Sequence, residues 1–307
     1  MIAAVALTLL SIGCVVAAWR LPSARWTSRA PRTAILLWQS IGLTWGLATT
    51  GALLAYALQP YGQGVIYGLH SHLSSVLTLG LDPESTFTYD LSRTIALVAG
   101  LALLAVLIGV LLAALWQTLR ARHRHRRLLA LVAREDPHVP GVRILDHPGA
   151  TAYCVPGLRS EVVVSAGALR LLSRDELAAV LAHEDAHVRE RHDLVLLPFA
   201  ALRRAIPWSR IVRDAQSSVA LLVEMAADDR ARRHCSPRRL ATALLRFGAA
   251  GSMPAPQGAL GAVGHVMARV NRLIAPAAEL PRPFRYGVVA LSALLTASAP
   301  LLWAMPH

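Results

Sequence analysis

His183 and His187 stand four residues apart in "AHEDAHVRERHD", with Glu184 directly after the first. On a helix, two imidazoles at i and i+4 lie one above the other on one face and can meet a single ion. The glutamate between them can reach a water on that ion without itself binding it, which is the division of labour in hydrolytic zinc sites. The competing reading is three polar residues on a solvated helix face. Five residues cannot decide this, so the surrounding elements must.

The carrier helix starts well. Ser173 with Glu176 three positions on fits a capping box, and Ala, Leu and Val then recur at helical spacing. Catalytic zinc usually takes three protein ligands and keeps one position open. A third histidine at the HExxHxxGxxH spacing is ruled out, because Glu190 stands at the glycine position and Asp193 at the histidine position. The better candidate lies in "SSVALLVEMAADDRARR", residues 217–233, read as a helix capped by Ser217. Glu224 and Asp228 are one turn apart there. Glu224 completes a His2Glu donor set with His183 and His187, and Asp228 can orient a ligand imidazole through its second nitrogen. An exposed acidic helix face is the alternative. Leu221, Leu222, Val223 and Met225 beside Glu224 weigh against it.

"SEVVVSAG" at 160–167 reads as a strand ahead of the active helix. It is either a sheet edge open to substrate backbone or an ordinary core strand. "GVRILDH" and "TAYCVPG" read as its neighbours. His192, His265 and Arg269 could assist the site, although a surface or structural role is the simpler reading for each. His70, His72, His123 and His125 read as solvated, and 248–258 as a Gly/Pro/Ala-rich linker.

Composition places this domain in a larger setting. The chain has 307 residues, 55% of them hydrophobic, and a mean hydropathy of +0.46, which points to a membrane protein. Four apolar stretches, about 2–19, 33–58, 94–116 and 286–305, are long enough to cross a bilayer as helices. "LVLLPFAAL" at 194–202 is too short and reads as a buried or interfacial helix. All 31 basic residues are arginine. Four of them lie between the first two stretches, none lies in 59–92, and "RARHRHRR" follows the third stretch. Arginine-rich loops stay in the cytoplasm. That puts both termini outside and 117–285 inside, in a cell (plasma) membrane. No basic run interleaves with aromatics, so the charge of +13 does not indicate nucleic acid. Cys14, Cys154 and Cys235 form no disulfide pattern, and Cys14 reads as a packing residue.

The expectation is therefore an α+β fold. A mainly helical multi-pass membrane protein carries three transmembrane helices in 1–116, a cytoplasmic zincin-like domain with a small sheet in 117–285, and a fourth transmembrane helix with a short external tail in 286–307. The function expected is a zinc endopeptidase with one Zn2+ per chain, a protein or peptide substrate, and the lipid bilayer as partner. The sequence carries no signal for oligomeric state.

"VVVSAGALRLLSRDELAAVLAHEDAHVRERHD" followed by "EMAAD" resembles the membrane-bound gluzincin peptidases: the HtpX-type and CAAX-prenyl-protease-type families and the BlaR/MecR antirepressor family. The order of three spans, zincin domain and fourth span is most similar to BlaR/MecR. The resemblance covers 120–280 by motif and the whole chain by topology. It implies His183, His187 and Glu224 as ligands, Glu184 as general base and Asp228 behind the ligands. It further implies regulated cleavage of a BlaI/MecI-like repressor, whereas HtpX likeness implies quality control of membrane proteins. A non-catalytic transducer on a zincin scaffold is a third reading. BlaR/MecR proteins continue into an extracellular β-lactam-binding domain. This chain stops at His307, so antibiotic sensing is not expected.

Overall fold

The computed structural model describes residues 1–79, 90–132, 134–135, 142–155, 161–249, 262–275 and 278–305. Helices dominate. In chain order they begin with α1 (Ile2–Arg20), α2 (Pro31–Ala57), α3 (Gly64–Leu79) and α4 (Leu91–Val132). Four short strands follow: β1 (Arg134–Glu135), β2 (Val142–Leu145), β3 (Ala152–Val155) and β4 (Glu161–Ser165). Then come α5 (Ala166–Leu171), α6 (Arg174–Arg189), α7 (His192–Ala205), α8 (Arg210–Ala231), α9 (Pro237–Ala249), α10 (Ala262–Ile274) and α11 (Arg282–Ala304).

Three segments among the described residues are long and apolar enough to cross a membrane: Ile2–Ser23, Leu91–Leu129 and Arg282–Ala304. Their large side chains face outward, as at Leu9, Ile12, Val98, Ile108 and Leu294. An aqueous solvent would penalise that surface, but a hydrocarbon one would not. The second expected span, 33–58, is the 27-residue helix α2, which is long enough but outside this apolar set. Thr33, Ser40, Thr44, Thr50 and Gly51 dilute its hydropathy, and all of them are buried. α2 is instead the inner helix of the bundle. Trp303 Nε1 of α11 donates to its Leu47 carbonyl (3.2 Å), and Thr44 Oγ1 donates to Leu295 O (2.9 Å). Gly51 is required at this crossing, since a Cβ there would overlap the Trp303 indole.

One core joins these helices to the rest. Cys14, Ile35 and Trp38 pack with Phe199 of α7 and with Val219 and Val223 of α8, so the inner half of α2 is buried against the helix that carries Glu224. α4 continues well past the expected end at 116, taking the "RARHRHRR" stretch into the same 42-residue helix. His125 is therefore not simply solvated; its Nε2 lies 3.0 Å from the Tyr153 hydroxyl.

The sheet order is β1-β2-β4-β3, with β2 parallel to β4 and the other pairings antiparallel. β4 lies between two strands and is a core strand; among the described residues the edge strand beside it is β3. Ser165 ends β4 and caps α5. Its buried hydroxyl accepts from the N–H groups of Ala168 and Thr151 and donates to Gly149 O. α5, α6 and α9 then cover the sheet through Val164, Ala168, Val180 and Ala243. Most of the 248–258 linker lies outside the described residues.

Candidate metal centre

α6 begins as its sequence demands. Ser173 Oγ accepts from Glu176 N (3.3 Å), and the Glu176 carboxylate accepts from Ser173 N (2.8 Å), with Arg246 of α9 on the same carboxylate at 2.7 Å. From that fixed start, three to four turns bring His183 and His187 to one face. α6 ends at Arg189, and two residues on Arg191 adopts a left-handed conformation (φ 50°) and turns the chain into α7, so that His192 folds back onto His187. α8 starts at Arg210 under a Ser209 cap, about two turns ahead of the expected Ser217 cap. A longer α8 is braced against α2 before it reaches Glu224.

His183 Nε2 and His187 Nε2 are 3.1 Å apart. Glu224 lies 3.4 Å from His183 Nε2 through Oε2 and 3.5 Å from His187 Nε2 through Oε1. Donor atoms of the three residues all lie within 4.8 Å of one another. A tetrahedral ion with bonds of 2.0–2.1 Å needs ligand atoms about 3.3 Å apart; the two imidazole nitrogens have that spacing, and Glu224 reaches each of them through a different oxygen, so the three residues could hold a metal ion. Glu184 follows His183 on the same turn and is partly exposed.

Behind the ligands, His183 Nδ1 lies 2.9 Å from Asp228 Oδ1, which fixes its ring. His187 Nδ1 lies 3.0 Å from His192 Nδ1, and His192 Nε2 is 3.4 Å from Glu190. Arg269 of α10 is the member with no spacing signal in the sequence. It is buried and donates through Nε and Nη2 to both oxygens of Asp228 (2.8 Å each), while Nη1 reaches Glu224 Oε2 at 2.7 Å. His265, by contrast, meets Ser217 at 3.5 Å.

The charges follow from these contacts. Burial and the Arg269 charge oppose a proton on metal-free His183, but the Asp228 and Glu224 carboxylates outweigh them and push it up to about 9. Burial holds His187 down, at about 3. Burial would raise Glu224 and Asp228, yet Arg269 and His183 hold both well below the usual carboxylate range. Burial likewise opposes the Arg269 charge, and Asp228 and Glu224, with Glu184 adding, more than compensate.

A short sheet beside the HExxH helix, a glutamate from a later helix and long apolar helices lie together here. The comparisons with known proteins point the same way, toward a membrane-type metallopeptidase. Residues 97–231, from within α4 to the end of α8, match the family model for Peptidase family M48. The chain is 41% identical over 75 residues to the Protease HtpX homolog of Aeropyrum pernix, a stretch amounting to 22% of this chain and 24% of that protein. The chain thus matches about a quarter of that curated relative's length. No solved structure matches it.

Proposed function

We propose that the protein is a zinc-dependent endopeptidase embedded in a membrane by four spans, with α2 as the second. Its site faces the cytoplasm, and it cleaves a repressor or another signalling protein. The single observation that carries this reading is the convergence of His183, His187 and Glu224, which offer one donor atom each within 4.8 Å of one another, with the two imidazole nitrogens 3.1 Å apart. His183, His187 and Glu224 would hold the metal. Zinc, when bound there, supplies Lewis acidity toward a peptide carbonyl and toward water.

The chain's own residues do the rest. A Glu184 carboxylate oxygen takes the proton of the attacking water and then gives it to the leaving amine nitrogen. Asp228 and His192 hold the two imidazoles in orientation from their Nδ1 sides. The edge of β3, unpaired among the described residues, accepts the substrate backbone as an added strand, with its side chains alternating toward and away from α6. Likeness to an HtpX homolog favours a second reading of the biological role, turnover of membrane proteins by the same chemistry.

The test is zinc content and hydrolysis of fluorescein-labelled casein by detergent-purified protein. Wild type should hold about one zinc and cleave. Glu184→Ala should keep the zinc and lose cleavage, while Glu224→Ala should lose most of the metal. A wild type that takes up no zinc when resupplied would end the peptidase reading and favour the transducer.

A further inference from the structure

A cavity of about 840 Å³ lies on the other side of α8 and α10 from the metal ligands. Met225 and Asp229 line it, each one residue beyond Glu224 and Asp228, and so does Ala268, one residue before Arg269. Six arginines reach it, against the acids Asp229 and Glu279. Two of the six brace the walls. Arg272 pairs with Asp229 (2.7 Å) and donates to Ser28 O (2.7 Å), and Arg32 pairs with Glu190 (2.7 Å) and donates to Ala226 O (3.1 Å). A third, Arg232, leans on Asp229 at 3.5 Å. Arg29, Arg233 and Arg285 have no carboxylate partner among the described residues.

The walls also fix the cavity's level. Residues 30–33 open α2 and Arg285 lies in the first turn of α11; the two helices run parallel from here, and α11 is a candidate span. Neither start has a side-chain cap, so their first N–H groups add to the positive potential. Trp26 stacks edge-on against Phe284 (5.5 Å), and Tyr286 is exposed beside them, the aromatic composition of a membrane–water boundary. Val289 and Leu291 continue as exposed apolar surface along α11, where acyl chains would lie.

We infer that this cavity binds the phosphate headgroup of an anionic phospholipid, with Arg29, Arg233 and Arg285 donating to the phosphate oxygens. A soluble phosphate compound offers the same anion, but nothing in it would use the apolar surface of α11. The inference does not rest on the metal centre.

The experiment is native mass spectrometry of the full chain in dodecylmaltoside, titrated with dioleoylphosphatidylglycerol or dioleoylphosphatidylcholine, with inorganic phosphate as competitor. Each arginine should contribute about fivefold to the preference, so Arg29→Gln/Arg233→Gln/Arg285→Gln should weaken phosphatidylglycerol binding about a hundredfold. The single Arg233→Gln, on an exposed residue, should lose about fivefold. Arg120→Gln/Arg124→Gln/Arg127→Gln removes the same charge from exposed positions on α4 and should leave binding unchanged. Equal weakening by both triple variants would reduce the effect to general charge and overturn the site. A wild type indifferent to the headgroup, or one that inorganic phosphate satisfies as well as the lipid, would do the same.

Discussion

At the residue scale, Arg269 matters for what it leaves behind. It is the fixed cation among Glu224, Asp228 and Glu184, and a buried carboxylate stripped of its partner is costly. Arg269→Met should cost metal-free protein about 3 kcal/mol or more. Zinc would offset those carboxylates, so the rise in melting temperature on adding zinc should be larger in the variant than in wild type. An unchanged zinc-induced rise would show that Arg269 is ordinary packing. Asp228→Asn should weaken zinc binding by about 10–100-fold through a looser His183 ring, read by competition with a chelator. The two histidines and Glu184 were legible in the sequence because helical spacing itself makes them neighbours, and Glu224 only through its one-turn spacing to Asp228 on a later helix. Arg269 could be named only as a possible helper, because it approaches His183 from 86 residues away and no local pattern encodes that meeting.

At the scale of single elements, the two ends of α6 set where the site points. Ser173→Ala removes a cap and should lower stability by about 1 kcal/mol, measured by urea unfolding, with His183, His187 and Glu224 left in place. Arg191 sits where an L side chain is strained, so Arg191→Gly should be neutral or stabilising by up to about 1 kcal/mol. A clear loss would mean that the guanidinium holds α7 in place. The capping box at Ser173 could be read from sequence because both partners lie within four residues. The start of α8 could not: both Ser209 and Ser217 can cap, and only packing of Ala215 and Val219 into the core under α2 chooses the longer helix. β1 was missed as well, since a two-residue strand exists only through its pairing with β2.

Across the whole molecule, Arg32 of α2 holds Glu190 at the end of α6 through two hydrogen bonds of 2.7 and 3.0 Å. Burial would raise the Glu190 carboxyl, but Arg32 outweighs it and holds the group below its ordinary value of 4.5. The stabilisation is therefore present above pH 4.5 and is lost as pH falls through the lowered value. Wild type should melt above Glu190→Gln at pH 6, and the gap should close toward pH 3. A gap independent of pH would mean that the pair does not couple the bundle to the metal centre. Why α2 is less apolar than its neighbours was invisible from hydropathy, because a helix buried by other helices need not be greasy on its own account.

α4 carries one more consequence. At 42 residues it is about 63 Å long, roughly twice the hydrocarbon thickness of a bilayer. Its inner length is bolted to the domain by an Arg122–Asp193 ion pair, by His125 on Tyr153 and by Leu129 against Val163. It is a stiff lever arm. Pivoted at mid-length, a tilt of about 5° carries its inner end about 3 Å, the distance from one hydrogen-bonding partner to none. Tyr153 lies on β3, so a tilt of this rod would reach the sheet through that hydrogen bond.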